Sequence, residues 1–194
     1  IIAITIHEAA HAWTADKLGD PTPRIKGRIT LNPIASVDIY GTIVIPLLLA
    51  IAGAPVLGWA KPVEFDPYNL RNPRKDSALI SLAGPAINII IAVILALLVG
   101  YMNVLTNIDI FFGAVSRVNI SLAIVNLIPI HPLDGGKILA GILPPREAAQ
   151  FDLFLHRYGT IILLFMIFPV FGGVSIVSQI VSPISNLLLG LLIP

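Results

Sequence analysis

The longest apolar run of the chain covers residues 78–105 and contains no charged residue. A helix needs about 20 apolar residues to cross the hydrocarbon core of a bilayer, so this run is long enough to span a membrane. Composition agrees, because 56% of the residues are hydrophobic, only 12% are charged and the mean hydropathy is +0.91. A soluble domain is closer to a quarter charged. The sequence therefore predicts a protein whose main solvent is lipid.

Five apolar blocks separated by polar loops predict an all-α polytopic membrane protein built as a helical bundle. The blocks cover residues 1–18, 39–59, 78–105, 111–130 and 160–194. The first block is short for a span, so we expect that its helix is truncated at the N-terminus of this sequence. No internal repeat or low-complexity tract divides the chain, and we expect a single membrane-embedded domain over residues 1–194.

Basic residues predict which side of the membrane each loop occupies. Loops 14–38, 60–77 and 133–158 carry several lysines and arginines each, whereas the connection 106–110 carries none. The positive-inside rule then places the three basic loops in the cytoplasm. A span over residues 39–59 would put two of these loops on opposite sides. A re-entrant hairpin resolves the conflict, and a kinked span is the alternative.

Two loop stretches alternate polar and apolar residues in the manner of short β-strands. They are residues 24–31 and 60–65, and both include β-branched side chains. Pro62 lacks a backbone N–H and would confine the second strand to a sheet edge. We expect both strands at the cytoplasmic mouth of the bundle.

Residues 7–11 read His-Glu-Ala-Ala-His inside an otherwise apolar stretch. Histidines four residues apart share one helix face about 6 Å apart along the axis, which suits two ligands of one zinc ion, and Glu8 stands beside them as a base. The chain has no cysteine, so nitrogen and oxygen atoms must hold any zinc. The alternative is that His7 and His11 lie at a wet helix end and face solvent. The cost of ionisable groups in a membrane favours the functional interpretation.

The third ligand of such a site is less clearly marked. The extended motif HExxHxxGxxH requires glycine and histidine where Thr14 and Lys17 stand. A downstream glutamate is disfavoured as the third ligand, since Glu64 and Glu147 both lie in basic loops. Asp134 is the better candidate.

Asp134 follows the fourth apolar block in a segment that proline and glycine shape. Pro129 and Pro132 break the helix, and Gly135 and Gly136 allow a tight backbone turn that can direct Asp134 back to the metal. Asp-Gly is also common in turns and caps, so a purely structural role stays open.

Further polar residues interrupt the apolar blocks. His131 is a rival metal ligand, an outer group that supports the ligands, or a structural residue. Asn126 is a candidate contact for substrate, or a hydrogen-bonding link between helices. Gly84, Pro85 and Asn88 lie in the longest run, where close packing, a kink and interhelical hydrogen bonding explain them equally well.

The combined motifs resemble the site-2 protease family of intramembrane zinc metalloproteases, in its compact prokaryotic branch. The resemblance covers about residues 1–160, and its motifs occur in the order expected for that family. They are the HEAAH at 7–11, GPAIN at 84–88, NLIPIHPLDGG at 126–136, and the loop segments 58–63 and 67–75.

The resemblance implies a site with assigned roles. One zinc ion would be bound by His7, His11 and Asp134, Glu8 would act as general base and acid, and Asn126 would lie near the scissile peptide or its oxyanion. The substrate would be a membrane-spanning segment of another protein, and the enzyme would be a multi-pass protein of a prokaryotic plasma membrane with its site toward the cytoplasm. The chain has no room for the PDZ or CBS domains that some members carry.

A different class of function uses the same polar residues. A membrane zinc transporter or zinc-binding scaffold would also need buried histidines and an aspartate, but it has no need of Glu8. A pseudoprotease that only binds its client is a further alternative. The net charge of +1 gives no reason to expect nucleic acid as a partner.

Overall fold

The computed structural model describes residues 1–51, 58–102, 107–168 and 173–192. Eight α-helices are found in these ranges, together with a π-helical stretch at Ile39–Val44 and 3-10 turns at Pro33–Ser36 and Pro67–Asn69. The helices are α1 Ile2–Leu18, α2 Thr22–Ile25, α3 Ile45–Ile51, α4 Pro73–Met102, α5 Asn107–Leu127, α6 Asp134–Ile142, α7 Pro145–Ile167 and α8 Ile176–Leu192.

Three of these helices are long and apolar enough to cross a membrane, which confirms the prediction of a helical membrane protein. They are Pro73–Gly100 in α4, Asp109–Leu127 in α5 and Pro145–Ile167 in α7. Only 28%, 22% and 11% of their apolar windows are buried in the protein, so most of their side chains point outward. Such apolar surface is stable against lipid rather than water.

α4 is the central helix of the bundle. Its small residues let neighbouring helices approach closely: Ala92 is fully buried and packs with Ile120 of α5 and Leu189 of α8. One end of α4 packs against α1, where Ile80 meets Ala15. Small residues at helix contacts are typical of membrane bundles, because close packing replaces the hydrophobic effect there.

The two ends of the second apolar block, residues 39–59, are hydrogen-bonded to each other. The N–H of Trp59 donates to the carbonyl of Gly41 at 3.0 Å, and the Thr42 hydroxyl donates to the Trp59 carbonyl at 2.9 Å. A side chain on Gly41 would overlap the Trp59 indole, so the contact requires glycine. This closure is what a re-entrant hairpin needs, but residues 52–57 lie outside the described part, and the hairpin stays a prediction.

The prediction of two short β-strands is wrong, because the described residues contain no sheet. The stretch 24–31 begins as the end of α2 and then turns at Gly27, whose φ is +64°. Residues 60–65 are extended, and the Arg28 side chain contacts them by donating to the carbonyl of Lys61; it also donates to the carbonyl of Ala35. A side chain therefore joins the two stretches in place of a backbone ladder.

The Asp20 side chain links the loop that follows α1 to residues 66–69 through hydrogen bonds. Its carboxylate is fully buried and accepts hydrogen bonds from the Thr22 N–H at 3.1 Å, the Thr22 hydroxyl at 2.6 Å, the Asn69 amide at 2.8 Å and the Asp66 N–H at 2.7 Å. Burial alone would raise the pKa of Asp20, but these hydrogen bonds outweigh it and lower the pKa.

Replacing Asp20 with asparagine should destabilise the protein by about 2 kcal/mol at pH 7. The amide presents an N–H group to at least one of four donors, so a buried donor loses its acceptor. Because the folded-state pKa is lowered, the stabilisation by Asp20 is fully present above the unfolded pKa of about 3.9 and is lost as pH falls through the folded value. Denaturant unfolding of both proteins in micelles measures the difference.

Asp16→Asn is the matched control, because it removes an ion pair in which Arg24 is largely exposed. We expect a loss below about 1 kcal/mol for this variant. Equal losses for the two variants would contradict the linking role of Asp20.

Candidate metal centre

The two histidines of the HEAAH motif lie on one buried face of α1. Their ring centroids are 4.6 Å apart and the rings are nearly perpendicular. Both residues are buried, with 4% of His7 and 7% of His11 exposed. Gly84 of α4 lies against both rings, and a Cβ there would come within 2.6 Å of each. The glycine therefore makes room for two imidazoles between α1 and α4.

Asp134 reaches this pair from the first turn of α6. Its Oδ2 lies 3.1 Å from His7 Nε2 and 3.2 Å from His11 Nε2, although more than a hundred residues separate it from α1 in the sequence. Ligands that each lie about 2 Å from a tetrahedral ion lie about 3.3 Å from one another. The two distances to Asp134 have this spacing, and all three ligand atoms lie within 4.8 Å of one another, so the group fits one zinc ion.

The protonation pattern of His11 also fits a cation. Its Nδ1 lies 2.7 Å from the carbonyl of Ile80, which can only accept, so Nδ1 carries the hydrogen. In a neutral imidazole Nε2 then has a lone pair, which faces the Asp134 carboxylate. The carboxylate is negatively charged and repels this lone pair. A metal ion between the lone pair and the carboxylate resolves their repulsion.

Glu8 lies at the edge of the three-residue group and contacts a different part of the chain. Its Oε2 accepts a hydrogen bond of 2.8 Å from the backbone N–H of Val63 in the extended segment. The carboxylate interacts electrostatically with His11 and therefore lies close to the three grouped residues without belonging to the group. A carboxylate in this position is suited to proton transfer.

The glycines after Asp134 have a different function from the one the sequence indicated. Gly135 and Gly136 are helical residues of α6 and do not form a turn. A Cβ on Gly135 would lie 2.4 Å from the carbonyl oxygens of Leu127 and Ile128. Glycine is therefore needed because α6 begins directly against the end of α5, and this close approach brings Asp134 to the histidines.

His131 is turned away from the three grouped residues and toward α7. Its ring pairs with that of His156 at a centroid distance of 4.7 Å, and Gly159 packs against its backbone. Burial, followed by the nearby positive groups His156 and Lys137, lowers the pKa of His131. The structure thus places this histidine in the packing between the α5–α6 connection and α7.

The two asparagines selected from the sequence lie at different depths. Asn126 is partly exposed near the end of α5, and its Nδ2 donates to the Leu122 carbonyl at 3.0 Å, which leaves a second amide hydrogen. Asn88 is fully buried in α4, one turn beyond Gly84. Neither belongs to the group formed by the histidines and Asp134.

Two contributors to the site were not found from the sequence, and both act through the backbone. The Val63 N–H contacts Glu8, and the Ile80 carbonyl contacts His11. Backbone groups leave no signature in a sequence.

Comparisons with known proteins agree with this geometry. The chain matches peptidase family M50 over residues 1–117 and 103–169. It is 38% identical to YwhC of Bacillus subtilis, which bears the provisional name of zinc metalloprotease, over 89% of this chain and 80% of that protein. It is 28% identical to Rip2 of Mycolicibacterium smegmatis, provisionally named in the same way, over 75% of this chain and 56% of that protein.

A third relative is the zinc metalloprotease MJ0392 of Methanocaldococcus jannaschii, which is 25% identical over 73% of this chain and 32% of that protein. No solved structure matches the chain at a significant level. The family match extends over most of the sequence, including His7, His11 and Asp134. The chain therefore belongs to peptidase family M50, the site-2 protease family.

Proposed function

We propose that this protein is an intramembrane zinc metalloprotease that hydrolyses peptide bonds within or near transmembrane segments of other membrane proteins. The observation that carries the proposal is the convergence of His7, His11 and Asp134 from α1 and α6, with Glu8 beside them. The apolar helices around this group support a substrate that lies in the bilayer. Family membership supports the class of reaction.

The reaction follows from the residue types. Zinc, when bound, would act as a Lewis acid and lower the pKa of water enough to supply a nucleophile for peptide hydrolysis at neutral pH. His7, His11 and Asp134 hold the ion and leave one position open, as catalytic zinc sites do. Glu8 accepts the proton of the attacking water and later donates it to the leaving amine. With Zn²⁺ bound, two neutral imidazoles and one carboxylate would leave the site with a net positive charge, which would favour a developing oxyanion.

Asn126 is the proposed donor to that oxyanion. Its Nδ2 has one hydrogen engaged with Leu122, and the other is available to a peptide oxygen. A donor aimed at developing charge in a water-poor site stabilises the transition state more than the ground state. This role is supported by the place of Asn126 near the C-terminal end of α5, the end against which α6 begins with Asp134.

The extended segment beside Glu8, taken here as residues 59–64, is suited to hold the unwound substrate. Trp59, Lys61 and Val63 direct their backbone groups into the protein, toward Gly41, Ser36, Arg28 and Glu8. On the opposite edge, the N–H groups of Ala60 and Glu64 have no partner among the described residues. A peptide bound along that edge would gain backbone hydrogen bonds that replace those of its former helix.

The basic loops support a site that opens toward the cytoplasm of a prokaryotic cell. Lys26 pairs with Glu64 close to the extended segment, and Lys61 adds a further positive charge there. Excess lysine and arginine is the mark of cytoplasmic loops. The whole chain of 194 residues is proposed to form one protease domain of a multi-pass membrane protein, acting in regulated intramembrane proteolysis.

Glu8→Gln should abolish cleavage and retain zinc. The amide cannot accept the proton of water, so we expect the cleavage rate to fall by about 10²–10⁴-fold while His7, His11 and Asp134 still bind the metal. The measurement is metal content together with cleavage of a synthetic transmembrane substrate in proteoliposomes. Glu147→Gln is the matched control, because that exposed carboxylate lies in the first turn of α7 and belongs neither to the three grouped residues nor to the extended segment, and its activity should stay near wild type.

Proteolysis that survives in Glu8→Gln would contradict the assigned base. A wild-type protein that binds zinc and cleaves nothing would instead favour a transporter, a scaffold or a pseudoprotease.

Asp134→Asn separates the ligand role from a turn or cap role. Asparagine serves turns and helix starts as well as aspartate does, but its neutral amide is a poor zinc ligand. We expect zinc affinity to fall by more than about 100-fold, beyond the range for outer groups, with little change in helix content by circular dichroism. Unchanged zinc affinity would assign Asp134 to structure alone.

Ala60→Pro should reduce substrate cleavage and spare the metal site. Proline removes the free N–H at the outer edge of the extended segment, whereas the inward groups of Trp59 and Lys61 keep their partners. We expect a severalfold rise in KM with zinc affinity unchanged. Leu31→Pro is the matched control, because Leu31 lies in an exposed loop outside the helices and its N–H also has no partner among the described residues. Equal KM for Ala60→Pro and wild type would rule out binding along this edge.

A further inference from the structure

Four buried polar atoms beside the metal centre have no hydrogen-bond partner among the residues that the structure describes. They are Nδ1 of His7, both side-chain amide atoms of Asn88 and Oδ1 of Asn119. The three residues are 4%, 0% and 2% exposed, so bulk water does not reach them. Buried polar groups are nearly always hydrogen-bonded because an unpaired one is costly, and most of all in a membrane.

Asn88 lies on the face of α4 that meets His7. His11 is bonded to the Ile80 carbonyl, and Gly84, one turn later on α4, packs against the Cε1 atom of His7. Asn88 is a further turn along the same face. Side chains on a helix lean toward its N-terminus, so the Asn88 amide leans back toward Gly84 and His7. Its amide is thereby brought to the side of the imidazole that carries Nδ1.

Asn119 approaches the same level from α5. The two helices are consecutive and pack side by side, with the Ser116 hydroxyl donating to the Ala92 carbonyl at 2.9 Å. Asn88 precedes Ala92 by one turn, and Asn119 follows Ser116 by about one turn, so antiparallel packing places the two residues at the same level of the bundle. The Nδ2 of Asn119 donates to the Val115 carbonyl at 2.9 Å, and its Oδ1 is left as an acceptor.

We propose that Asn88 is a positioning residue for the zinc ligand His7. In the zinc-loaded protein the Nδ1–H of His7 would donate to Asn88 Oδ1, and Asn88 Nδ2–H would donate to Asn119 Oδ1. Neither pair has hydrogen-bond geometry in the structure described here, so metal binding at His7 has to draw these side chains together. The four unpartnered atoms are two donors and two acceptors, and this chain pairs all of them with the correct polarity. The inference rests on the proposed zinc site, because Nδ1 carries the hydrogen when Nε2 binds the metal.

The proposal gives the two histidines equivalent support. His11 is oriented by the Ile80 carbonyl, and His7 is oriented by Asn88. Metal-binding histidines almost always donate their second ring N–H to such a group, which fixes the tautomer and the ring plane. Asn119 in turn holds the Asn88 amide so that its oxygen, and not its nitrogen, faces the imidazole.

Asn88→Leu tests the chain, since leucine has the same branched arrangement of side-chain heavy atoms and no polar atom. We expect zinc affinity, measured by competition with a chelator, to fall about 10–100-fold. Ser116→Ala is the matched control: it removes a buried hydrogen bond from the same α4–α5 contact but lies outside the chain, and its zinc affinity should equal that of wild type. Equal losses in both variants, or wild-type affinity in Asn88→Leu, would overturn the proposal.

Asn88→Asp provides the rescue. A protonated aspartate has the same donor and acceptor pattern as asparagine, and an ionised one accepts from His7 more strongly, so zinc affinity should stay within a few-fold of wild type. In ¹⁵N-histidine spectra of the zinc-loaded protein, we expect a protected Nδ1–H signal of His7 in wild type, Ser116→Ala and Asn88→Asp, and its loss in Asn88→Leu.

A protected signal that persists in Asn88→Leu would overturn the inference and leave the zinc site intact. A wild-type protein that binds no zinc would instead refute the proposed function itself.

Discussion

The contact of one carboxylate with two imidazoles organises this protein. Asp134 Oδ2 lies within 3.2 Å of both His7 and His11, and these atoms come from opposite parts of the chain. The contact is possible only where two glycines remove side chains, Gly84 beneath the rings and Gly135 against the end of α5. The close packing that these two glycines allow therefore brings the three side chains together.

Lipid as the solvent explains why apolar side chains lie on the outside of the bundle and why a polar side chain inside it needs a partner. An apolar helix gains nothing by hiding from lipid, so α4, α5 and α7 leave most of their side chains on the outside. A polar side chain in the same place is costly unless it is paired. The buried carboxylate of Asp20 has four hydrogen bonds, and Asp134 has two imidazoles. The same cost makes the unpaired atoms around Asn88 informative.

The sequence was most informative where a pattern has a fixed period. The spacing of His7 and His11 follows from helix geometry, and the apolar runs follow from bilayer thickness, so both were predictable. Asp134 could be selected only by excluding rivals, because nothing local distinguishes a ligand from a turn residue. The strands at 24–31 and 60–65 were wrong because Gly27 turns the chain and the Arg28 side chain, in place of a backbone ladder, connects the two stretches. The contacts of Val63 and Ile80 were unpredictable, since every residue has the backbone groups that they use.

The central claim is that His7, His11 and Asp134 bind one zinc ion in a site with an open position. X-ray absorption at the zinc edge of the purified, zinc-loaded protein tests it most directly. The account predicts one ion per chain with two imidazole nitrogens and carboxylate or solvent oxygen, all at about 2.0–2.2 Å in four-coordinate geometry. A shell made only of oxygens, a single imidazole, or the absence of stoichiometric zinc would contradict it.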